Sequence, residues 1–272
     1  MFLPADYHMH SYYSGDSKAP MEDMIESSIK RGLKEICFTD HMDLEYPPLP
    51  EVTPGLFEFD TDSYKKEILS LREKYKDKIN IKFGVELGLQ DHIPDLNKEY
   101  VSKYDFDFVI GSIHVLDRQD PYYKEYWEGK SESDVLNRCF ELTLENMKLF
   151  KDFDVLGHFD YVIRYSPYKG AEYNYESFSE IIDAILSFLI KNDKGLDLNT
   201  KAIYGYGLEP NPHAFVLKRY KELGGRIITF GSDAHTPDVV GAAFEQAKEI
   251  ALSCGLTEYC TYDAHVPTFH KL

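Results

Sequence analysis

The feature that most constrains the fold of this 272-residue sequence is a regular alternation of short apolar segments with longer helix-like segments. Several apolar segments are nearly continuous runs rich in Val, Ile and Phe, which is typical of parallel strands buried on both faces. The pattern predicts about seven βα units and a parallel sheet, either an open doubly wound sheet or a closed barrel. The strand candidates are Asp6–Ser11, Glu35–Asp40, Ile79–Leu87, Phe106–His114, Asp154–Asp160, Gly195–Thr200 and Arg226–Ser232.

The segments between these strands carry helix signals such as a proline in the first turn and polar capping residues. The helix candidates are Met21–Arg31, Asp62–Tyr75, Ser131–Phe150, Tyr175–Asn192, His213–Leu223 and Gly241–Ser253. Two stretches are predicted to be irregular loops: Asp43–Thr61, which contains Pro47, Pro48, Pro50 and Pro54, and Asp117–Lys130. Because no linker or low-complexity tract interrupts the pattern, we expect one domain over residues 1–272.

The charge balance narrows the classes of partner. The sequence has 30 Lys+Arg and 47 Asp+Glu, a formal charge of −17, which argues against a nucleic-acid or anionic-membrane partner. A small anionic substrate remains compatible, because bound metal ions reverse the local field. The four cysteines form no C-x-x-C pair, and the sequence has neither a signal-peptide pattern nor a membrane-spanning apolar run. We therefore expect reduced thiols and a cytoplasmic location.

Metal-binding side chains fall at the ends of the predicted strands, where six of the ten histidines lie. Side chains two apart on a strand point to the same side, so His8 and His10 can face one interior and together favour a divalent cation. Asp233 and His235 repeat this spacing, and the carboxyl ends of parallel strands form the site face of α/β folds. The candidate ligands are His8, His10, Asp16, His41, Glu86, His114, His158, Asp233 and His235.

One histidine at a strand end is more often a satisfied polar residue than a ligand, and H-x-H alone recurs by chance. Here, successive strands carry His-x-His, Thr-Asp-His, Gly-x-Glu, Gly-Ser-x-His, Gly-His-x-Asp and Ser-Asp-x-His in order. Independent accidents would not place six such motifs on successive strands, so the set predicts a metal site.

This motif set resembles the PHP (polymerase and histidinol phosphatase) superfamily, and is most similar to its monofunctional histidinol-phosphate phosphatases. The resemblance runs from His8 to His235. It implies a distorted (β/α)7 TIM-like barrel with two to three divalent ions (Zn, Mn or Fe) at the carboxyl ends of the strands. The implied ligands are His8, His10, Glu86 and Asp233 for a first ion, a bridging Glu86 with His114 and His158 for a second, and Asp16, His41 and His235 for a third.

The family resemblance implies hydrolysis of L-histidinol phosphate to L-histidinol and phosphate, a step of histidine biosynthesis. Two cations sharing Glu86 would lie about 3.5–4 Å apart and hold a bridging hydroxide that attacks phosphorus directly. The leaving alkoxide needs a proton, for which Asp40 and Asp160 are the candidate acids. The alternative for both is to orient a ligand histidine by hydrogen bonding.

A small phosphorylated substrate also favours a cationic side chain. Arg164 is the first candidate, because a guanidinium matches phosphate geometry, and Arg118 is the second. Related phosphatases often have an Asn-Thr stretch followed shortly by a phosphate-binding Arg. This sequence has Asn199 and Thr200 followed by Lys201 and no Arg, so Lys201 is a third candidate.

Three other functions remain open. The closest alternative is a PHP phosphatase for another small phosphoester, which the missing Arg favours. A PHP module that serves a polymerase is disfavoured by the charge of −17 and by the absence of a polymerase segment. A metal-dependent amide hydrolase ranks last, because no strand offers an obvious lysine for bridging two metals. The sequence does not predict an oligomeric state.

Overall fold

Parallel strands form a nearly closed barrel in the computed structural model, which describes residues 3–48 and 52–272. The barrel strands are β1 (Ala5–Met9), β2 (Glu35–Phe38), β3 (His41–Met42), β4 (Asn80–Gly88), β5 (Phe108–Ser112), β6 (Val155–Leu156), β7 (Gly195–Asn199) and β8 (Ile228–Gly231). The helices are α1 (Met21–Lys30), α2 (Thr61–Tyr75), α3 (Pro94–Lys103), α4 (Glu132–Leu149), α5 (Tyr175–Lys191), α6 (Lys201–Tyr206), α7 (Ala214–Glu222) and α8 (Phe244–Ser253). An antiparallel hairpin, β9 (Glu258–Asp263) and β10 (Val266–Lys271), follows them.

The strand order is β1-β2-β4-β5-β6-β7-β8, and the two-residue β3 continues the line of β2 and pairs with β4. The first and last strands meet through two backbone hydrogen bonds just beyond their ends. His10 N donates to Ala234 O at 2.9 Å, and Asp233 N donates to His8 O at 2.7 Å. This contact closes the sheet, so the (β/α)7 barrel is confirmed and the open doubly wound alternative is wrong.

Local sequence signals explain several helix starts. Ser131 accepts a hydrogen bond from Asp134 N and caps α4, and Asn174 accepts one from Ser177 N and caps α5. Apolar side chains on one face of each helix pack on the barrel, as Met21, Met24 and Ile25 of α1 do. The six predicted helices are present within three residues of their predicted ends, whereas α3 and α6 were not predicted.

Two predicted elements differ from the structure. Strand Asp154–Asp160 is wrong beyond Leu156, because the chain leaves the ladder at Gly157. A 3-10 turn at Lys124–Trp127 lies within the predicted loop Asp117–Lys130. The other predicted loop, Asp43–Thr61, has no helix or strand in its described part up to Asp60, and Pro50 lies outside the described residues.

The apolar core fills the space between the barrel and the helices, and all four cysteines are buried free thiols. Across residues 3–48 and 52–272, every helix falls short of the length and apolarity that crossing a membrane requires.

Candidate metal centre

The carboxylate of Glu86 lies at the centre of the site, on β4, and is fully buried. Five imidazoles from four other strand ends approach its two oxygens. The nitrogen–oxygen distances are 3.1 Å for His8, 3.5 Å for His10, 3.0 Å for His41, 3.1 Å for His114 and 2.8 Å for His158. The convergence at the carboxyl ends of the strands therefore matches the sequence-based expectation.

Glycines make room for this crowding. A Cβ on Gly157 would lie 2.1 Å from Ser112 Oγ, which itself donates to Glu86 Oε1 at 2.7 Å. A Cβ on Gly231 would lie 2.3 Å from the Cβ of His8. The backbone beside the ligands therefore tolerates no side chain at these two positions.

Two histidines direct Nε2 into the site because their Nδ1 donates outward. Nδ1 of His8 lies 2.7 Å from Asp197 Oδ2, and Nδ1 of His114 lies 2.7 Å from Asp43 Oδ1. Since carboxylates only accept, Nδ1 of both rings carries a proton, and Nε2 is the nitrogen left to bind an ion. Nδ1 of His235 lies 3.0 Å from the carbonyl oxygen of Asp233 and 3.2 Å from Lys201 Nζ.

His10 is oriented by a longer chain of hydrogen bonds. Ser14 Oγ donates its single proton to Asp40 Oδ1 at 2.8 Å, so it accepts from His10 Nδ1 at 2.9 Å. Nε2 of His10 then presents a lone pair, 3.5 Å from both Asp233 Oδ1 and Glu86 Oε2. Asp40 thus acts on His10 through Ser14, an indirect form of the orienting role that the sequence analysis gave as its alternative.

Several of these inward atoms are buried without a protein partner. Among the described residues, Nε2 of His8, His10 and His235 and Oε2 of Glu86 meet no hydrogen-bond partner. Lone pairs that face one another at about 3 Å need a positive charge between them, which a metal ion or a proton supplies. The donor set of imidazoles and carboxylates suits Zn, Mn or Fe.

The pKa shifts have the same electrostatic origin. Burial alone would lower the pKa of His8, but the carboxylates of Glu86 and Asp197 raise it well above its usual value. Burial would raise the pKa of Glu86, but the surrounding imidazoles lower it well below its usual value. Burial, together with neighbouring His235 and His41, lowers the pKa of His10 well below its usual value. His10 therefore stays neutral and keeps its lone pair available.

Four overlapping groups of ligand atoms have the spacing to hold an ion. They are His8–His10–Asp233, His8–Glu86–His158, His41–Glu86–His114 and His10–His41–His235. Asp16, the last of the nine expected ligands, is 43% exposed and places Oδ2 3.0 Å from His235 Nε2. The structure thus brings all nine side chains together, and their binding of metal stays a prediction.

A cavity of about 540 Å³ opens beside this cluster. Arg164 is buried in its wall and donates from Nη1 to Asp233 Oδ2 at 2.9 Å. Lys201 also lines the cavity, with Nζ 3.0 Å from Asp233 Oδ1. Arg118 is not brought to the cavity: it lies on an exposed turn at positive φ and contacts His92.

The two candidate acids lie away from the cavity wall. Burial raises the pKa of both carboxyls, and hydrogen bonds oppose the rise. Asp40 accepts four hydrogen bonds, all from Ser11 and Ser14. Asp160 accepts from Tyr173, Asn211 and the backbone of His213. With every oxygen occupied, neither carboxyl is placed to give a proton to a substrate in this cavity.

Sequence reasoning missed the residues that orient the ligands. Asp43 and Asp197 hold His114 and His8, and Asn199 and Asn211 hold Arg164. A signal existed for Asp197, because it lies two residues before Asn199 at a strand end and so shares its face. No comparable signal marks Asp43, which lies in a loop.

Comparisons with known proteins agree with this geometry. The family model described as PHP domain matches residues 6–201. A probable histidinol-phosphatase from Clostridium acetobutylicum is 36% identical over 251 residues, which cover 92% of this chain and 94% of that protein. The histidinol-phosphatase of Lactococcus lactis subsp. lactis is 30% identical over 261 residues, covering 94% and 93%.

Solved structures extend the comparison. The crystal structure of histidinol phosphate phosphatase from Lactococcus lactis subsp. lactis, complexed with zinc, L-histidinol and phosphate, matches with a TM-score of 0.89 at 29% identity. The match covers 98% of this chain and 100% of that chain. A putative histidinol phosphatase from Listeria monocytogenes matches with a TM-score of 0.76 at 18% identity, covering 89% and 99%, which is a likeness of fold.

Proposed function

The chain belongs to the PHP domain family, and from that premise we propose that it is a metal-dependent histidinol-phosphatase. The reaction is hydrolysis of L-histidinol phosphate to L-histidinol and inorganic phosphate. The observation that carries the proposal is one cavity whose wall combines histidines of the cluster around Glu86 with a buried arginine, Arg164. Relatives of nearly the same length, named histidinol-phosphatase, support the choice of substrate.

On this proposal, the nine clustered side chains would hold two or three divalent ions, with Glu86 at the centre of the ligand set. The ions supply Lewis-acid activation of water and neutralise charge on the phosphate. The protein's part is to hold each ligand ring in a fixed orientation through its other nitrogen, by Asp197 for His8, Asp43 for His114 and Ser14 for His10. Zinc is the first ion to test, with manganese and iron beside it.

Arg164 is proposed to bind the phosphate. Three of its five N–H groups already donate to protein oxygens, which leaves one N–H on each terminal nitrogen. Two such donors on a planar group match two phosphate oxygens. Lys201 adds a point charge on the same side of the cavity, since its Nζ and Nη1 of Arg164 both contact the Asp233 carboxylate.

The opposite wall is proposed to bind the organic part of the substrate. Asp43 and Asp120 line it together with Tyr46 and Tyr123. Asp120 accepts from the Tyr46 hydroxyl and from Tyr122 N, and its burial raises its pKa. A carboxylate wall opposite a cationic one suits a molecule with a phosphate at one end and an amine at the other. A biosynthetic role of this kind places the protein in the cytoplasm, where buried thiols remain reduced.

The test is phosphate release from purified protein whose metal content has been measured, loaded in turn with Zn, Mn or Fe. We expect kcat/KM on L-histidinol phosphate to exceed that on other monoesters, including sugar phosphates and nucleotides, by at least about tenfold. The Glu86→Gln variant serves as the metal-site control. Higher kcat/KM on a different monoester would retain the phosphatase activity and replace the proposed substrate.

A further inference from the structure

Arg164 is held by three acceptors on three different segments. Nε donates to Asn211 Oδ1 at 2.7 Å, Nη2 to Asn199 Oδ1 at 2.7 Å and Nη1 to Asp233 Oδ2 at 2.9 Å. The guanidinium is buried, so it cannot change direction without leaving these acceptors and its own N–H groups unpaired. Its two remaining N–H groups are therefore aimed by the acceptors behind it.

An asparagine can present either its oxygen or its NH₂ group, and only the oxygen can accept from Arg164. Asn211 Nδ2 donates to Asp160 Oδ1 at 2.6 Å, which turns the amide so that its oxygen faces Arg164 Nε. Asp160 itself is fixed by Tyr173 and by the backbone N–H of His213, both at 2.8 Å. An acceptor-only carboxylate at position 160 thus determines which end of the Asn211 amide meets the arginine.

We propose that Asp160 is a positioning residue, which orients Arg164 toward the phosphate through the amide of Asn211. The proposal rests on the proposed function in one respect, that Arg164 binds the phosphate of the substrate. It gives a role to a fully buried carboxylate that neither lines the substrate cavity nor contacts His158 in the described chain.

The first measurement is binding of inorganic phosphate to the metal-loaded protein by calorimetry. In Asp160→Asn, an amide replaces the acceptor, so the Asn211 amide is free to turn its NH₂ group toward Arg164. We expect phosphate to bind about tenfold more weakly, the effect of losing one well-directed hydrogen bond to a charged group. Asn211→Ala breaks the same series of hydrogen bonds one step closer to the arginine and should weaken phosphate binding to a similar extent. This variant tests the proposal if Asp160→Asn does not fold.

The second measurement separates positioning from proton donation. A positioning residue lowers kcat/KM by the same factor for L-histidinol phosphate and for p-nitrophenyl phosphate. A general acid lowers kcat/KM for L-histidinol phosphate alone, because p-nitrophenolate leaves without a proton. In an Arg164→Ala background, Asp160→Asn should change phosphate affinity by less than about twofold, because Asp160 and Asn211 then have no guanidinium to orient.

Asp154→Asn is the matched control: it also removes a buried, hydrogen-bonded carboxylate, but one that accepts two hydrogen bonds instead of three and lies at the other end of the barrel. It should leave phosphate affinity unchanged. The proposal is overturned if folded Asp160→Asn or Asn211→Ala binds phosphate like wild type. It is also overturned if Asp160→Asn lowers phosphate affinity by the same factor in the Arg164→Ala background as in the wild type. A wild type that cleaves p-nitrophenyl phosphate but not L-histidinol phosphate would instead refute the proposed substrate and leave the Asp160 result interpretable.

Discussion

At the scale of single residues, Asp197 decides which nitrogen of His8 can bind metal. Its Oδ2 lies 2.7 Å from His8 Nδ1, and both side chains are fully buried. Asp197→Ala removes this acceptor, so the ring loses its orientation and its fixed tautomer. We expect metal affinity to fall about 10–100-fold, measured by competition with a chromophoric chelator.

Asp154→Ala is the natural control for that experiment, because Asp154 also accepts from an imidazole Nδ1, that of His265 at 2.9 Å, far from the metal cluster. It should leave metal affinity unchanged. Equal metal affinity in wild type and Asp197→Ala would show that the strand alone orients His8.

The ligand candidates could be found from sequence because strand geometry fixes where their side chains point. His8 and His10 share one side of β1, and the carboxyl ends of parallel strands meet. Residues on loops follow no such rule. Arg118 lies only four positions after His114, yet a turn at positive φ sends it to the surface, while Asp43 folds back from its loop to His114.

At the scale of elements, the close approach of β8 to β1 depends on Gly231. A Cβ there would lie 2.3 Å from His8 Cβ and 2.6 Å from Asp197 Oδ1. Gly231→Ala should therefore destabilise the fold by about 1–3 kcal/mol and also weaken metal binding, because β1 must shift. Chemical unfolding and metal titration measure the two effects.

Gly205→Ala provides the contrast, since its Cβ would meet only Lys201 Cγ at 4.0 Å within α6. An alanine in a helix should raise stability by about 0.5–1 kcal/mol. A similar loss of stability in the two variants would argue that Gly231 is needed for its backbone conformation and not because a side chain would clash there.

The C-terminal hairpin of β9 and β10 has no counterpart among the elements predicted from the sequence. It packs at the amino-terminal end of the barrel, where Tyr262 N donates to the Tyr7 hydroxyl at 2.8 Å and Lys82 Nζ donates to Asp263 at 2.7 Å. These partners lie 255 and 181 positions apart along the chain, so no local pattern reveals them. The hairpin therefore lies at the end of the barrel opposite the metal-ligand candidates.

The hairpin contact predicts a pH dependence of stability. The hydrogen bond to Asp154 raises the pKa of His265, with burial opposing. The stabilisation is complete below the pKa of histidine in the unfolded chain, about 6.5, and is lost as pH rises through the higher folded value. His265 is 49% exposed, so the loss between pH 6 and 9 should be only about 0.5 kcal/mol.

Chemical unfolding at pH 6 and pH 9 checks this prediction. His265→Ala should reduce the pH dependence by that amount, and Asp154→Asn should reduce it equally. The pH dependence of the double variant should equal that of either single variant, because each single substitution already removes the His265–Asp154 pair. Additive losses would contradict the pairing.

At the scale of the whole molecule, the repeat count and the parallel sheet followed from the alternation of apolar runs and helices, but closure of the barrel was implied only by the family resemblance. Alternation of apolar runs with helices is the same in open and closed sheets. Closure depends on the meeting of β1 with β8, two segments more than 200 positions apart that join through His8, His10, Asp233 and Ala234. The residues that close the barrel are thus also ligand candidates or their neighbours, which couples the metal cluster to the fold.

That coupling predicts a large effect of metal removal on stability. Ions bound to the folded state alone stabilise it by about 2.7 kcal/mol per site at a free concentration 100 times Kd. Chelation should therefore lower Tm by at least about 5 °C, and restored zinc or manganese should recover it. Because ligand nitrogens must be unprotonated, the difference in Tm should shrink as pH falls from 7.5 to 5.5. Differential scanning calorimetry measures both effects. Glu86→Gln is the control, and its Tm should respond little to chelator. An unchanged wild-type Tm after verified metal loss would show that metal binding does not stabilise the fold.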